Sequence, residues 1–576
     1  MQYCADEYGG ATRHIESMPQ EKHSGCRPSS GQHFSLTLSA RDPILARPTR
    51  CNPSSMPIKV VDIFAGAGGL GEGFSTFTNE QGEKLFKVVL SAEMDGHAAK
   101  TLRTRAFFHQ FPLGKAPDSY YAYVRGEVLQ PWTEDTREKW EAACSEAHQL
   151  TLGEGEHDDR LDQLLSEKIG TNSTAPWVLV GGPPCQAFSL AGRSRNVGIK
   201  DYDPAKDHRH FLYRHYLHIV SKYQPAVFIL ENVKGMLSSR VDGERMFPRI
   251  IADLTQPGGP DGPKYRVVPV VRHSGFEPEE RDFLLRAEEL GLPQARHRVV
   301  LMGIKEGVSL PEDALLQPGK AKQVIVAHAL HGLPELRSKL TEDDGKNWAE
   351  TASTILRNTA QKVAAAEPEV AKLLMARANA LKSKLAKDPG TGGQFVSARA
   401  EKWHSGKHLP HDLRAWLVDE RLKGGWLNHF SRGHMTSDLE RYAYAAAFAE
   451  VHKRAPRGPG EFPSLGPAHK NWAEGTKFVD RFNVQCADAP SSTITSHLAK
   501  DGHYFIHPDF RQFRSLSVRE AARLQTFPDN FFFEGPAGAQ RKQVGNAVPP
   551  YLARQIASVV FAAINGSASG KASSEI

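Results

Sequence analysis

Residues 62–70 read Asp-Ile-Phe-Ala-Gly-Ala-Gly-Gly-Leu, and the apolar run before them starts at Lys59. The run predicts a buried strand over Lys59–Phe64, and the glycines predict a tight turn that leads into a helix. In this order the three parts open a doubly wound α/β sheet, where the turn lets a ligand come close to the backbone. Many glycine turns are purely structural, so the flanking sequence must decide between a ligand loop and a plain turn.

Further apolar runs downstream alternate with helical patterns. This alternation predicts a mainly parallel sheet that is covered by helices on both faces. The charged stretch Thr136–Gly170 is expected to be a helical insertion between sheet elements. The remaining predicted strands are Lys87–Ala92, Trp177–Val180, Ala226–Leu230 and Arg298–Gly303, and Arg214–Lys222 is a predicted helix.

The chain has 576 residues, which is too many for one ordinary core and predicts several domains. After about Leu333 the pattern changes to helical segments rich in Lys and Ala, such as Val363–Lys387 and Asp438–Arg454, with Gly- and Pro-rich loops between them. The predicted division is a disordered tail at 1–55, a sheet domain at 56–333, a second domain at 334–512, a segment at 513–564 that returns to the sheet domain, and a disordered tail at 565–576.

The composition is that of a soluble globular protein, with 40% hydrophobic and 24% charged residues. No apolar run approaches the roughly 20 residues needed to cross a bilayer, and no secretory signal is visible. The six cysteines are scattered without a metal-ligand spacing. We therefore expect no disulfide framework and no metal site, and a reducing cytoplasmic setting fits best.

The net charge of +6 is concentrated in one part of the chain. Between Glu335 and Lys500 there are 25 Lys and Arg against 19 Asp and Glu, which accounts for the whole excess. A basic surface in this stretch would favour a polyanion. A solvated surface explains the same counts, and charge alone favours that simpler explanation.

Two acidic residues downstream of the glycine turn are candidates for nucleoside contacts. The second predicted strand ends at Ser-Ala-Glu93-Met-Asp, and a carboxylate at such a strand end can accept the hydroxyl groups of a ribose. Glu127, in Gly-Glu-Val, could contact an adenine ring. Either residue could equally be a solvated strand end.

The stretch 181–189, Gly-Gly-Pro-Pro-Cys-Gln-Ala-Phe-Ser, follows a predicted buried strand. Its cysteine, Cys185, stands in a Pro-Pro-Cys-Gln turn at the carboxyl end of that strand, where side chains face the ligand crevice of a parallel sheet. A structural cysteine would normally lie inside the apolar run. The position of Cys185 therefore favours a nucleophile.

Polar side chains are also predicted at the ends of two further strands. Glu231 follows the strand Ala226–Leu230, where a carboxyl group in an apolar setting can hold and donate a proton. Arg296 and Arg298, in Gln-Ala-Arg-His-Arg, stand at alternate positions of a strand and therefore share one face. They could bind oxygen acceptors near the nucleophile, although exposed arginines on an edge strand are otherwise common.

Six sequence blocks follow one another along the chain: DIFAGAGGL, GGPPCQAFS, ENV, QARHR, RSLSVREAARLQTFP and QVGNAVPP. They resemble, in type and order, the motifs of the DNA (cytosine-5)-methyltransferase family in its bacterial, Dcm-like form. The resemblance covers about residues 58 to 333 and 513 to 564, and the family keeps its variable target-recognition domain in between. The segment 491–495, Ser-Ser-Thr-Ile-Thr, is similar to one near the end of that domain. Glu127 departs from the pattern, because the family usually has Asp there.

The resemblance implies a Rossmann-like, class I S-adenosylmethionine-dependent methyltransferase with a second, target-recognition domain. It implies methylation of carbon 5 of a flipped-out cytosine in double-stranded DNA, with Cys185 bonded covalently to carbon 6 of the base. Glu231 would hold a proton at ring nitrogen 3, with Arg298 and Arg296 beside the base. The implied cofactor contacts are Phe64, Ala65, Gly66, Gly68, Gly69, Leu70, Glu93, Met94, Glu127, Val128, Pro183, Asn546 and Ala547. The implied DNA contacts are Gln186, Ser189, Arg193, Arg195 and Thr493.

Two alternatives remain open at the level of sequence. One is a cytosine-5 methyltransferase of transfer RNA, and the other is a DNA-binding protein with an inert methyltransferase fold. The long region before the last blocks favours DNA, because it offers room for groove reading. The intact Cys185, Glu231 and glycine turn argue against an inert fold. We expect a monomer in the cytoplasm, associated with the nucleoid, that binds duplex DNA, belongs with a cognate restriction endonuclease, and has no membrane partner.

Overall fold

The computed structural model describes residues 56–171, 173–184, 208–241, 243–275, 277–340, 348–382, 388–397, 406–422, 424–467, 472 and 480–571. Its strands are β1 (Ile58–Ile63), β2 (Phe86–Glu93), β3 (Ala147–Gln149), β4 (Trp177–Gly181), β5 (Val227–Val233), β6 (Arg240–Val241), β7 (Glu244–Arg245), β8 (Tyr265–Val268), β9 (Leu284–Arg286), β10 (Gln294–Ala295), β11 (His297–Lys305), β12 (Lys339–Leu340), β13 (Gly392–Ser397), β14 (Gly425–Phe430), β15 (Gly433–His434) and β16 (Ser491–Ser492).

The α-helices of the described residues are α1 (Gly69–Ser75), α2 (Gly96–His109), α3 (Asp118–Val124), α4 (Arg137–Cys144), α5 (Gly155–Lys168), α6 (His208–Tyr223), α7 (Met246–Thr255), α8 (Val326–Leu330), α9 (Trp348–Val363), α10 (Pro368–Leu381), α11 (His411–Leu417), α12 (Thr436–His452), α13 (Val518–Leu524), α14 (Ala537–Asn546) and α15 (Pro550–Lys571). Helix α15 continues to Lys571, into the stretch predicted as a disordered tail from residue 565. The predicted tail at 1–55 lies outside the described residues.

The central sheet has eight strands and confirms the predicted α/β class. Five parallel strands lie in the order β3-β2-β1-β4-β5, and β11 then pairs antiparallel with β5. Strands β8 and β9 both pair with β11. Helices α1 and α15 pack on one face of the sheet, while α5, α6 and α7 pack on the other. The carboxyl ends of β1, β2, β4 and β5 and the start of β11 therefore meet at one edge.

The stretch Thr136–Gly170 is not an insertion, contrary to the prediction. It contains α4, the outer sheet strand β3 and α5, and Ala147 of β3 pairs with Ser91 of β2. The strand reads Ala-His-Gln and lacks the apolar run that marks the others. A three-residue edge strand needs little apolar surface, and so the pattern of the sequence conceals it.

The C-terminal helix α15 and the residues before it return to α1, the first helix of the sheet domain, through close backbone contacts. A Cβ atom at Gly69 would clash with the carbonyl oxygen of Val548, and one at Gly73 would lie 2.5 Å from the Cβ of Ala553. Both glycines belong to α1, which follows the glycine turn. Helix α15 can therefore lie against α1 only because these two positions lack side chains.

A separate helical core lies in the region predicted as the second domain. Helices α9, α10 and α12 pack around buried residues such as Trp348 and Tyr442. Helix α11 packs elsewhere, because Leu413 and Leu417 belong to the sheet-side core. The indole nitrogen of Trp416 also donates to the carbonyl oxygen of Thr526 at 2.7 Å. The chain therefore leaves the helical core, contacts the sheet domain around α11 and β14, and returns.

One helical stretch, Ala537–Gly566, is long and apolar enough to span a membrane by length and composition. Its most apolar window is 83% buried inside the protein. It lies against α1 and the sheet, as a core helix of a globular domain does.

Substituting Ala for Gly73 should destabilise the protein, because the new methyl group meets backbone and Cβ atoms of α15 that cannot move aside. We expect a loss of about 1–3 kcal/mol in the free energy of unfolding, measured by denaturant titration. Gly538→Ala is the matched control, because a Cβ at Gly538 in α14 meets nothing within 4 Å. Equal stability of the two variants would contradict the tight packing of α1 on α15.

Candidate active site

The glycine turn and the end of β2 are joined by Glu93. Its two carboxylate oxygens accept hydrogen bonds from the backbone nitrogens of Gly66 and Asp95, each at 2.9 Å. Burial raises the pKa of Glu93, and these two hydrogen bonds oppose that shift. The carboxylate is thereby fixed at the carboxyl edge of the sheet, beside the turn.

The backbone of the turn leaves open space beside the sheet. Phe64, Gly66 and Gly68 have φ values of 56°, 57° and 85°, in the left-handed region. A Cβ at Gly66 would meet nothing within 4 Å. The neighbouring strand end presents Met94, which is 59% exposed although it is apolar. A nucleoside ligand could therefore lie against the turn, with Glu93 as acceptor for its hydroxyl groups and Met94 as an apolar contact.

Asp62, the first residue of the DIFAGAGGL block, was not among the predicted site residues. It is fully buried, and one carboxylate oxygen accepts from the backbone nitrogen of Gly71 at 3.1 Å. Its other oxygen has no hydrogen-bond partner among the described residues. Burial and, to a smaller extent, the charge of the neighbouring Glu93 raise the pKa of Asp62 to about 7, although the hydrogen bond from Gly71 opposes the shift. The sequence signal was available, since an acid in an otherwise apolar strand is unusual.

Asp62 should make the stability of the protein depend on pH. Its pKa of about 7 in the folded state exceeds the ordinary value of 3.8, so the folded protein holds a proton that the unfolded chain releases. Stability from this group is therefore lost as pH rises from about 4 through about 7. We expect Asp62→Asn to flatten that part of the pH profile of the unfolding free energy.

The control for this pH dependence is Asp135→Asn, which changes an exposed carboxylate. It should leave the profile as it is in the unsubstituted protein. If both variants retain the same slope between pH 4 and pH 7, Asp62 is not the titrating group.

The structure places Glu127 in a turn and not at a strand end, so its predicted contact with an adenine ring stays a prediction. Glu127 follows α3 in an exposed turn, and its carboxylate accepts from Arg125 at 2.6 and 2.8 Å. Its neighbour Val128 is 44% exposed. The strand beside β2 is β3, and Gln149 at its end donates to the carbonyl oxygen of Met94 at 3.3 Å. Gln149 therefore stands at the strand end next to Glu93.

The ends of β4 and β5 are joined at the same edge. The amide nitrogen of Asn232 contacts the carbonyl oxygen of Pro183 at 3.5 Å. A Cβ at Gly182 would lie 3.2 Å from Oε2 of Glu231. The segment that leads to Cys185 thus lies directly against the Glu231 carboxylate. The predicted site residues Cys185, Gln186, Ser189, Arg193 and Arg195 lie outside the described residues.

Glu231 pairs with Arg298 across β5 and β11. The Nε of Arg298 lies 2.9 Å from Oε1 of Glu231, and each side chain is 14% exposed. The setting of Glu231 is therefore ionic, whereas the sequence predicts an apolar setting for this carboxyl group. The pair sits at the β5 end of the edge, where β11 begins. A base that entered here would meet one acceptor and one cationic donor.

Arg296 and Arg298 do not act as one pair on a strand face. A break between β10 and β11 separates them, and Arg296 is only 2% exposed. Its Nη1 donates to the carbonyl oxygen of Ile494 at 2.8 Å. Burial lowers the pKa of Arg296 well below its ordinary value, and the charge of Arg298 adds to this. Arg298 thus faces the carboxylate, while Arg296 holds a distant segment of the chain.

Thr493 lies at this interface. Its hydroxyl donates to the carbonyl oxygen of Ala295 at 2.8 Å, and the adjacent strand β16 pairs with β10. The segment predicted to read DNA is therefore hydrogen-bonded directly to residues 294–298, Gln-Ala-Arg-His-Arg, which we call the arginine block. Nothing in the sequence pattern links residues that stand about 200 positions apart.

The last block reaches the part of the edge that holds the glycine turn and the end of β2. Asn546 is the exposed final residue of α14, and the buried Ala547 follows it. Lys542 of the same helix pairs with Asp95 at 3.0 Å, next to the backbone that Glu93 holds. The glycine turn, the end of β2 and the last block are thereby brought together.

Taken together, a parallel sheet with a glycine turn, an acidic residue at the end of β2 and polar groups at the ends of β4 and β5 define a class I S-adenosylmethionine-dependent methyltransferase. The model of the C-5 cytosine-specific DNA methylase family matches residues 165–562. The chain belongs to this family. It accordingly uses S-adenosylmethionine as methyl donor and methylates carbon 5 of cytosine in DNA.

Several relatives share most of their length with this chain. The type II methyltransferase M.Bpa9945I of Bacillus paralicheniformis is 31% identical over 528 residues, which is 88% of this chain and 99% of the relative. The type II methyltransferase M.AgeI of Thalassovita gelatinovora is 27% identical over 528 residues, 88% of this chain and 100% of the relative. Among solved structures, a DNA modification methyltransferase encoded within a prophage of E. coli has 18% identity and a TM-score of 0.44, covering 88% of this chain and 99% of that chain.

Proposed function

We propose that the carboxyl edge of the sheet holds S-adenosylmethionine and a flipped-out cytosine side by side, with Cys185 as the nucleophile. The observation that carries this is the Glu231–Arg298 ion pair, which lies against Gly182 in the segment leading to Cys185. A mechanism in which a thiol and a carboxyl group act on the same base requires that both groups lie close to it. Since a base inside a duplex cannot reach such an edge, the cytosine must leave the helix.

The residues divide the chemistry between them. The thiolate of Cys185 adds to carbon 6 of the base, and this addition makes carbon 5 nucleophilic. Glu231 holds a proton at ring nitrogen 3, while Arg298 orients Glu231 and binds the base oxygen. S-adenosylmethionine, when bound, supplies an electrophilic methyl group. A general base then removes the proton from carbon 5, which expels Cys185 and restores the aromatic ring of the cytosine.

The cofactor would lie between the glycine turn, the end of β2 and the last block. Glu93 would accept the ribose hydroxyl groups, and Gln149, rather than Glu127, stands at the next strand end. The open space beside Gly66 gives the ligand room. The other proposed contacts are Phe64, Ala65, Gly68, Gly69, Leu70, Met94, Pro183, Asn546 and Ala547.

We propose residues 334–512 as the part that recognises duplex DNA. This region carries the basic excess of the chain, and the segment with Thr493 ends beside the arginine block. Basic side chains bind phosphates, while base edges in the major groove give sequence discrimination. Gln186, Ser189, Arg193 and Arg195 would add contacts from the segment that follows Cys185.

The relatives suggest the biological setting. M.Bpa9945I and M.AgeI are named type II methyltransferases. We propose that this enzyme likewise protects DNA in a restriction–modification system, alongside a cognate endonuclease. It would act as a monomer in the cytoplasm, associated with the nucleoid.

Cys185→Ser should abolish methyl transfer without unfolding the protein, because a hydroxyl is a far weaker nucleophile than a thiolate near neutral pH. The assay is transfer of a radiolabelled methyl group from S-adenosylmethionine to duplex DNA, with transfer RNA as the competing substrate. DNA with 5-fluorocytosine at the target should trap the unsubstituted protein covalently. Near-normal turnover by the serine variant would refute the mechanism.

Arg298→Met should lower kcat by about 10²-fold or more, because Glu231 loses the group that orients it. Arg286→Met is the matched control, since Arg286 lies nearby on β9 but pairs with Glu289 at the surface, where each side chain is at least 36% exposed. Exposed ion pairs contribute little, so the control should keep its kcat and its stability. A similar kcat for both variants would remove Arg298 from the reaction.

A further inference from the structure

Two buried glutamines join segments that are far apart in the sequence. Gln294 and Gln525 are each 0% exposed. The Nε2 of Gln294 donates to Oε1 of Gln525 at 2.9 Å, and the Nε2 of Gln525 donates to the carbonyl oxygen of Val544 at 2.7 Å. At the other end, Oε1 of Gln294 accepts from the backbone nitrogen of Ile494 at 2.8 Å. We call this series of hydrogen bonds from Ile494 to Val544 the amide chain.

The Ile494 end of the amide chain is held firmly. Its N–H is bound by Gln294, and its carbonyl oxygen accepts from Arg296 at 2.8 Å. The preceding residue, Thr493, donates to the carbonyl oxygen of Ala295. The side chains of Gln294 and Arg296 therefore bind the N–H and the carbonyl oxygen of Ile494, and the backbone of Ala295 binds the residue before it. A displacement of the segment with Thr493 must move Gln294 or break these bonds.

The Val544 end lies beside the proposed cofactor contacts. Val544 is two residues before Asn546, and the Nε2 of Gln525 also lies 3.4 Å from the carbonyl oxygen of Ala547. A Cβ at Gly545 would clash with the backbone of Thr495. The last block therefore also contacts residues 491–495 directly. We call these residues the recognition segment, because the proposed function places DNA beside Thr493. A shift at Thr493–Ile494 would therefore reach the end of α14, which carries Asn546.

We propose that Gln294 and Gln525 are positioning residues that couple DNA binding to cofactor binding. The inference rests on the proposed function, which places DNA beside Thr493 and the cofactor beside Asn546. Buried amides have no water to replace a lost partner, so the amide chain resists independent movement of its ends. Because coupling between two ligands is reciprocal, each would change the affinity of the other by the same factor.

The test measures this factor directly. Calorimetric titration gives the Kd of S-adenosylhomocysteine with and without plasmid DNA fragments that the unsubstituted protein methylates. We expect the two Kd values to differ by roughly 5-fold or more in the unsubstituted protein. In Gln525→Met the ratio should fall to within about twofold of one, while the Kd without DNA stays within about threefold of normal, because Gln525 is not among the proposed cofactor contacts.

The control is Gln555→Met. Gln555 is a buried glutamine of α15 that donates to the carbonyl oxygen of Leu290 at 3.1 Å and lies outside the amide chain. It should retain the ratio of the unsubstituted protein. A general loss of packing would instead lower the ratio in the Gln525 variant and in the Gln555 variant alike. If Gln525→Met does not fold, Gln294→Met breaks the amide chain at its other link and gives the same test.

Two results would overturn the coupling. One is a ratio near one in the unsubstituted protein, and the other is an unchanged ratio in the folded Gln525 or Gln294 variant. Failure of the unsubstituted protein to bind S-adenosylhomocysteine or to methylate DNA would count against the proposed function instead. The same titrations therefore separate the two ideas.

Discussion

The structure depends on one close approach, where the carbonyl oxygen of Val548 lies against Gly69 without room for a side chain. This contact sets the last block of the chain onto the glycine turn near its beginning. Helix α15 then lies along α1 through Gly73 and completes the apolar layer on one face of the sheet. Burial of that face supplies much of the driving force for folding, and the cofactor side of the edge is incomplete until the end of the chain has returned.

The junction between the helical region and the sheet domain is fixed by buried charged side chains. Arg514 pairs with Glu520 and Arg523 with Asp529, and all four side chains are at most 2% exposed. Arg519 donates instead to the backbone, including the carbonyl oxygen of Leu427 at 2.8 Å. Buried ion pairs add little net stability but make alternative arrangements costly, since a misplaced partner leaves an unpaired buried charge. They therefore specify how the helical region meets the sheet domain.

The edge where β5 ends and β11 begins combines groups that would repel or neutralise one another in a less constrained setting. Arg296 and Arg298 stand two residues apart, yet burial and a break between β10 and β11 give them separate partners. Arg298 pairs with Glu231, while Arg296 donates to the carbonyl oxygen of Ile494. One short segment thereby contacts both the carboxylate at the end of β5 and the segment that contains Thr493.

The sequence by itself determined the sheet class, five of its strands, the positions of Glu93 and Glu231 at strand ends, and the family, because apolar runs and local glycine or proline turns encode these features within a few residues. It did not reveal β3, which has no apolar run, and so it did not reveal Gln149 at the strand end next to Glu93. Only the tertiary structure decided that Arg298 meets Glu231, that Arg296 meets Ile494, and that Gln525 joins Gln294 to Val544. These contacts join residues from about 20 to more than 230 positions apart. Local patterns do not encode them, because their geometry exists only after the sheet, the recognition segment and the returning helix have packed together.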